Sequence, residues 1–144
     1  MSSFTEARFE PVYLPGGRRK KRSGRPVFAI RGAAGDGLRY DIGFLGSGLS
    51  VFVPEGFETD GPSDPTGVLQ LLGVAPTMMR ASAVHDMLRE DLRFTKLQSD
   101  AVFLMAMETE GTPPIWREAA FNSVRLNQSR SKHQPADEVE MPPY

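Results

Sequence analysis

The sequence contains no cysteine, carries almost no net charge and has no long apolar segment. Without cysteine the chain forms no disulfide, no cysteine-ligated zinc site and no thiol nucleophile. The formal net charge of −1 creates no overall field that would attract nucleic acid or an anionic membrane. No apolar run approaches the roughly 20 residues that span a bilayer, and residues 1–6 lack the apolar core of a secretion signal. We therefore expect no membrane span and synthesis in the cytoplasm.

The spacing of apolar residues and turns predicts a mixed fold of strands and helices. The 144 residues, 40% of them hydrophobic, suit one domain with a modest core. Glycine-rich turns separate three short strand candidates, which lie at residues 27–31, 38–44 and 49–53. Three segments with helical spacing follow, over residues 76–90, 95–110 and 113–126. The predicted class is therefore α+β, with a small antiparallel β-meander packed against about three α-helices.

The second of these helices has the clearest local signals for its ends. Thr95 followed three residues later by Gln98 is the pattern of a capping box. Gly111 then follows the last apolar positions, where a glycine commonly ends a helix. We therefore expect this helix to begin near Thr95 and to stop at Gly111.

Composition divides the chain into three parts. We predict an extended basic N-terminal arm over residues 1–26, a single globular domain over 27–126 and an extended polar C-terminal tail over 127–144. The tail is polar and acidic, with prolines at its tip, and has no apolar core of its own. The two arms are the segments that we expect to contact other chains.

A basic block lies within the N-terminal arm. It consists of Arg18, Arg19, Lys20, Lys21, Arg22 and Arg25. Such a block suits phosphate groups or an acidic protein surface, or it forms a solvated loop that repulsion between like charges keeps extended. No aromatic residue interleaves these cations, which argues against a platform for base stacking. We predict a protein partner for the block and treat nucleic acid as the less favoured partner.

Two short polar motifs within apolar surroundings contain the candidate site residues. The first motif follows the third predicted strand and contributes Thr59, Asp60 and Ser63. The second lies within the first predicted helix and contributes His85, one of only two histidines, and Asp86. An aspartate such as Asp60, at the exit of a strand, bonds readily to backbone N–H groups of the following turn.

Three interpretations of these motifs remain open at this point. In the structural interpretation, which we favour, His85 donates a ring N–H to Asp60 and ties the helix to the loop, without metal or cofactor. In the second, His85 and Asp60 bind a metal with Asp86 or Asp100 as a third ligand, and such a set suits magnesium or manganese better than zinc. In the third, an aspartate orients His85 for metal-free acid–base catalysis. The catalytic candidates would then be Asp60, His85 and Asp86.

A nucleophile for such an enzyme is harder to find in the sequence. Ser63 and Ser82 lie close to the two motifs. Neither serine is part of the Gly-x-Ser-x-Gly pattern that exposes a nucleophile on a sharp turn. We therefore expect a structural protein rather than an enzyme.

The order of the motif residues resembles a known family. The residues that carry the resemblance are Val53, Pro54, Gly56, Phe57, Thr59, Asp60, Ser63, Pro65, Ala81, His85 and Asp86. The match continues through Asp100, Phe103, Ala106, Met107, Gly111, Trp116 and Arg125. This pattern is similar to an uncharacterised phage and prophage family, the domain of unknown function numbered thirteen fifty-three.

The resemblance implies a bacteriophage origin, among structural or lysis genes, and brings no established reaction. We expect a virion structural protein of the tail or head–tail junction, which docks to neighbouring phage proteins through its arms within a multi-chain assembly. It would be made in the host cytoplasm and reside in the virion. The alternative is a phage hydrolase, directed at peptidoglycan and dependent on metal, that uses Asp60, His85 and Asp86.

Overall fold

The computed structural model describes residues 1–43, 48–62, 68–91 and 93–126, and within them eight short strands precede four helices. The strands are β1 Ser3–Phe4, β2 Ala7–Pro11, β3 Lys21–Arg22, β4 Arg25–Pro26, β5 Phe28–Gly32, β6 Leu38–Asp41, β7 Ser50–Val53 and β8 Glu58–Thr59. The helices are α1 Val68–Leu71, α2 Met79–Glu90, α3 Lys96–Glu110 and α4 Pro114–Leu126, with a 3₁₀-helix at Ala75–Met78. The predicted α+β class is confirmed.

The strands of the described residues form two antiparallel three-stranded sheets, ordered β1–β6–β7 and β2–β5–β8, and one hairpin, β3–β4. Of the three predicted strands, β6 and β7 pair with each other, whereas β5 pairs with β2 and β8. The Gly32 and Gly37 N–H groups, at the two ends of the turn between β5 and β6, both donate to the carboxylate of Glu55, at 2.8 and 2.9 Å. Glu55 thus bonds both ends of this turn.

The first strands of the N-terminal segment, predicted as an extended arm over residues 1–26, pair with the body of the protein. Strand β1 pairs with β6, and all five residues of β2 pair with β5. The ring of Phe4 stacks on Tyr40 at 4.5 Å between centroids, and the guanidinium of Arg80 lies 5.0 Å from the Phe4 ring. The predicted boundary at residue 26 therefore does not separate β1 and β2 from the sheets. The C-terminal tail, residues 127–144, lies outside the described residues.

A pattern in the sequence does indicate strand β2. Ala7 and Phe9 alternate with the polar residues Arg8 and Glu10, which is the alternation of a half-buried strand. In the structure Ala7 and Phe9 pack against the core, while Arg8 and Glu10 are exposed.

Helix α2 is the central helix of the domain. It packs against α3 on one side and against β7 and β8 on another, and α4 packs against α3. Core residues that are fully buried include Ile30, Leu38, Tyr40, Val53, Ala81, Ala83, Val84, Ala106 and Met107. None of the helices in the described part of the chain is both long enough and apolar enough to cross a membrane.

Residues close in the sequence cap both ends of α3, whereas a distant residue caps the start of α2. The predicted capping box is present at the start of α3, where Thr95 Oγ1 accepts from the Gln98 N–H at 3.1 Å and Gln98 Oε1 accepts from the Thr95 N–H at 3.0 Å. Gly111 ends the helix with φ of 95°, which confirms that prediction. Helix α2 lacks a side-chain cap of its own. Instead the buried Glu110 carboxylate accepts from its first N–H groups, those of Arg80 and Ala81, each at 3.0 Å.

The packing of β1 generates a stability prediction. Replacing Phe4→Ala removes the ring that lies against Tyr40 and Arg80. Because Phe4 is half-buried, we expect a loss of about 2 kcal/mol in the free energy of unfolding, measured by urea denaturation. Arg8→Ala is the control, since that exposed side chain should change stability by less than about 0.5 kcal/mol. Equal stability of the two variants would contradict the integration of β1 into the domain.

Candidate functional site

The candidate residues of the two motifs do not form one site, because Asp86 meets the first motif whereas His85 points to a different neighbour. Adjacent residues on an α-helix project about 100° apart. His85 faces α3, where its Nε2 lies 2.7 Å from Oδ1 of Asp100. Asp86 faces β8 instead, where it bonds to Thr59. The predicted bond between His85 and Asp60 is therefore wrong, and Asp60 pairs with Arg25.

The first group of polar residues, which we name the Asp100 cluster, consists of His85, Lys96, Asp100 and Arg125. Lys96 Nζ donates to Asp100 Oδ2 at 2.7 Å, and Arg125 Nη1 donates to the same oxygen at 3.0 Å. Lys96 Nζ also donates to the carbonyl oxygen of Val124 at 2.6 Å. The cluster therefore joins α2, α3 and α4 through one carboxylate that is completely buried.

Hydrogen bonding decides the charge state of the Asp100 cluster. Burial raises the pKa of Asp100, but hydrogen bonds from His85 and Lys96 outweigh burial and lower it to about 2. Burial lowers the pKa of His85, and the hydrogen bond and charge of Asp100 offset only part of this effect. At neutral pH a neutral His85 therefore donates its Nε2–H to an ionised Asp100.

The surroundings of His85 close it off from solvent. Its side chain is 7% exposed, and its ring stacks on Phe103 at 4.6 Å between centroids. Among the described residues, no group of three or more histidine and carboxylate side chains is arranged to hold a metal ion. The geometry thus brings His85 together with Asp100, one of the alternative ligands considered above, but in an ion-pair network with cations.

The second group, which we name the Asp86 cluster, consists of Arg25, Thr59, Asp60 and Asp86. The Thr59 hydroxyl donates to Asp86 Oδ2 at 2.8 Å and accepts from the N–H of Gly61 at 3.1 Å. Arg25 Nη2 donates to Asp60 Oδ2 at 2.6 Å. Thr59 thus has the role of bonding the turn backbone that the sequence suggested for Asp60.

Burial dominates the ionisation of Asp86. It raises the pKa of Asp86 to about 7, and the neighbouring charge of Asp60 acts in the same direction. The hydrogen bond from Thr59 and the positive charges of Arg22 and Arg25 act against this rise. Helix α2 therefore carries a carboxyl group that titrates near neutral pH.

The sequence also offered two serines, Ser63 and Ser82, as candidate nucleophiles. Ser82 is buried one helical turn before Asp86, and its hydroxyl has no hydrogen-bond partner within the residues described. Ser63 lies outside the described residues.

The sequence did not predict Lys96 and Arg125 as partners of Asp100. The spacing of four residues between Lys96 and Asp100 is a recognisable helical ion pair, whereas Arg125 comes from another helix and leaves no such pattern.

The structure divides the basic block into bonded and exposed cations. Lys20 Nζ lies 2.9 Å from Oε2 of Glu58, and Arg25 bonds Asp60, so that two ion pairs fasten this segment to β8 and to the residue that follows it. The Arg19 guanidinium lies over the ring of Phe28, 5.0 Å from the centroid. The exposed cations are Arg18, Lys21 and Arg22. We name residues 18–26, which include strands β3 and β4, the basic hairpin.

The raised pKa of Asp86 predicts how a neutral replacement affects stability. The unfolded chain releases this proton near the ordinary aspartate pKa of 3.8, whereas the folded protein keeps it up to about pH 7. The stabilising contribution is therefore complete below pH 4 and is lost as the pH rises to 7. Asp86→Asn should stabilise the protein at pH 8 by up to about 4 kcal/mol and have little effect near pH 4, as measured by urea denaturation. A variant less stable than wild type at pH 8 would contradict the assignment.

The lowered pKa of Asp100 predicts the opposite result. Its contribution to stability is present above pH 4 and is lost as the pH falls towards 2. Asp100→Asn should destabilise the protein at pH 7 by about 3 kcal/mol, because Lys96 is left buried without its counter-ion. Glu108→Gln, an exposed carboxyl on the same helix, is the matched control and should change little. Unchanged stability of Asp100→Asn in the same denaturation experiment would refute a structural role for the cluster.

The region of the chain that contains both motifs also matches a protein family. The family model described as Protein of unknown function (DUF1353) matches residues 43–124, more than half of the sequence. Neither the curated proteins nor the solved structures include a significant match to the chain. The matched region contains both motifs and Asp100, whereas Arg25 and Arg125 lie outside it. The chain belongs to this family, DUF1353.

Proposed function

We propose that this protein is a structural component of a bacteriophage particle, in the tail or at the head–tail junction. In this proposal it binds neighbouring phage proteins through the basic hairpin and its terminal segments. The phage context rests on the resemblance of the motif residues to the phage and prophage family. The mode of binding rests on the arrangement of charges in the structure.

The observation that carries the proposal is the separation of His85 from Asp60 and Asp86. A hydrolase that used these three residues would need them to face one space that a substrate can enter. His85 is instead buried against Asp100, and Asp60 is paired with Arg25. Both residues are thus engaged in contacts within the fold. This arrangement favours a structural protein over the hydrolase alternative.

The basic hairpin is suited to binding an acidic protein surface. The ion pairs from Lys20 to Glu58 and from Arg25 to Asp60 fasten it to the domain, and Arg18, Lys21 and Arg22 remain exposed. A segment already held in place loses less conformational entropy when it binds a partner. The chain as a whole is not basic, with a net charge of −1, so no overall field draws it to a nucleic acid backbone. We therefore favour an acidic protein partner.

Incorporation into particles tests the proposal. The wild-type chain and Arg18→Glu/Lys21→Glu would be produced during phage growth, and the amount in purified particles measured by quantitative mass spectrometry. We expect wild type in a fixed ratio to the other particle proteins and about a tenfold loss in the variant, because reversed charges repel an acidic partner. Arg8→Glu/Arg93→Glu changes two exposed cations outside the hairpin and is the matched control.

Two outcomes would refute the proposal. One is the absence of the wild-type chain from purified particles, which would remove the structural role. The other is binding of the isolated protein to DNA in a mobility-shift titration, with a log–log salt slope of about −3 for three cations. If Arg18→Glu/Lys21→Glu abolished that DNA binding, nucleic acid rather than protein would be the partner of the hairpin.

A further inference from the structure

We propose that the open edge of strand β2 binds β2 of a second copy of this chain. The contact is an antiparallel strand pair centred on Phe9, and it joins one sheet of each copy across a two-fold axis. This inference goes beyond the proposed function and does not depend on it.

Strand β2 has one unpaired edge. It is the outer strand of the sheet ordered β2–β5–β8, and among the described strands it pairs with β5 alone. The N–H of Ile30 donates to Phe57 and its carbonyl oxygen accepts from Gly56. The backbone groups of Ile30 thus face away from Phe9, its partner in β2. Because the residues of an antiparallel pair alternate in direction, Phe9 and Ala7 point their N–H and C=O groups to the open edge.

The two faces of β2 differ in their chemistry. Ala7 and Phe9 are partly buried against the core on one face, whereas Arg8 and Glu10 are exposed on the other. The Arg8 and Glu10 side chains are 78% and 48% exposed, and Arg8 Nη2 lies 3.7 Å from Glu10 Oε2. A strand with one apolar face and one charge of each sign on the other face is complementary to a reversed copy of itself.

Charge selects the register of the pair. With Phe9 opposite the partner's Phe9, each Arg8 lies opposite the partner's Glu10, and such opposite-charge pairs stabilise antiparallel strands. A register centred on Arg8 would instead place Arg8 opposite the partner's Arg8 and Glu10 opposite the partner's Glu6. Like charges directly opposite each other are destabilising. The register centred on Phe9 is therefore favoured.

The backbone groups fit the same register. The N–H of each Phe9 donates to the carbonyl oxygen of the partner's Phe9, and the N–H of each Ala7 donates to the carbonyl oxygen of the partner's Pro11. Pro11 has no N–H to donate in return, and a proline on an edge strand limits how far pairing extends. Because both copies use the same edge, the assembly closes as a dimer.

The dimer and the proposed function fail separately. The pair uses residues 7–11, whereas incorporation into particles is proposed to depend on the hairpin, residues 18–26. A contact of this small size predicts a dimer that dissociates in dilute solution. Monomers suffice for incorporation, so the controls above that replace Arg8 hold where the protein is dilute.

Charge reversal tests the pairing without disturbing the core, because both side chains are exposed. Arg8→Glu makes both exposed positions acidic and Glu10→Arg makes both basic, so each variant opposes like charges in its own dimer. A one-to-one mixture of the variants restores opposite charges across the pair. Sedimentation equilibrium from micromolar to millimolar protein should show a wild-type dimer, self-association about tenfold weaker for each variant, and wild-type affinity for the mixture.

Two controls keep this experiment interpretable. Glu10 also lies 3.6 Å from Arg31, so urea denaturation of each variant checks that the domain still folds. Glu118→Arg changes an exposed carboxylate on α4 and should leave the affinity of the dimer unchanged.

Amide hydrogen exchange locates the contact. The N–H of Phe9 faces the open edge, so its protection should rise with protein concentration. The N–H of Glu10 faces β5 and should be protected equally at every concentration. A wild type that stays monomeric at millimolar concentration, or a mixture that associates no better than its separate variants, would overturn the proposal. So would a Phe9 N–H whose protection is independent of concentration, because the edge is then covered by the chain itself or the dimer uses another surface.

Discussion

The arrangement of the helices depends on the buried carboxylate of Asp100. This group accepts from His85 on α2, from Lys96 on its own helix and from Arg125 on α4. A buried ion network is not a source of large net stability, because removing charges from water is costly. It does restrict the packing, since a shift of α2 or α4 breaks a hydrogen bond to this buried carboxylate. The apolar contacts of the core bring the helices together, and the Asp100 cluster selects their relative positions.

Neighbouring groups give the two clusters opposite electrostatic behaviour. Asp86 and Asp100 are both removed from water, and burial alone raises the pKa of each. Asp100 accepts from three nitrogen donors, whereas Asp86 accepts from one neutral hydroxyl and lies beside another carboxylate. Asp100 is therefore charged throughout the neutral range, and Asp86 titrates near neutral pH. Burial raises the pKa of both groups, so the number and charge of the donors make the difference.

Helix α2 links these clusters to the N-terminal half of the chain. Its residues reach Asp100 on one side and Thr59 on another, and the ion pairs from β8 and its exit extend this network to the basic hairpin. A protein that fastens an exposed cationic segment to its core in this way presents charges at fixed positions. That property suits the assembly function proposed above, in which contacts with a neighbour depend on the position of the hairpin.

The sequence by itself determined features that depend on a few neighbouring residues. The α+β class, the capping box of Thr95 and Gln98 and the end of α3 at Gly111 were all predictable, because local spacing and backbone conformation decide them. The presence of polar residues Asp60, His85 and Asp86 in apolar surroundings was also evident.

Tertiary structure alone decided which of these polar groups meet. His85 bonds Asp100 instead of Asp60 because α3, and not the loop after β8, packs over its face of α2. Arg25 reaches Asp60 across 35 positions of the chain only because the hairpin folds back over β8. The pairing of β5 with β2 likewise joins segments whose sequences contain no mark of one another. Such contacts depend on the directions in which whole elements pack, and residue spacing carries no information about those directions.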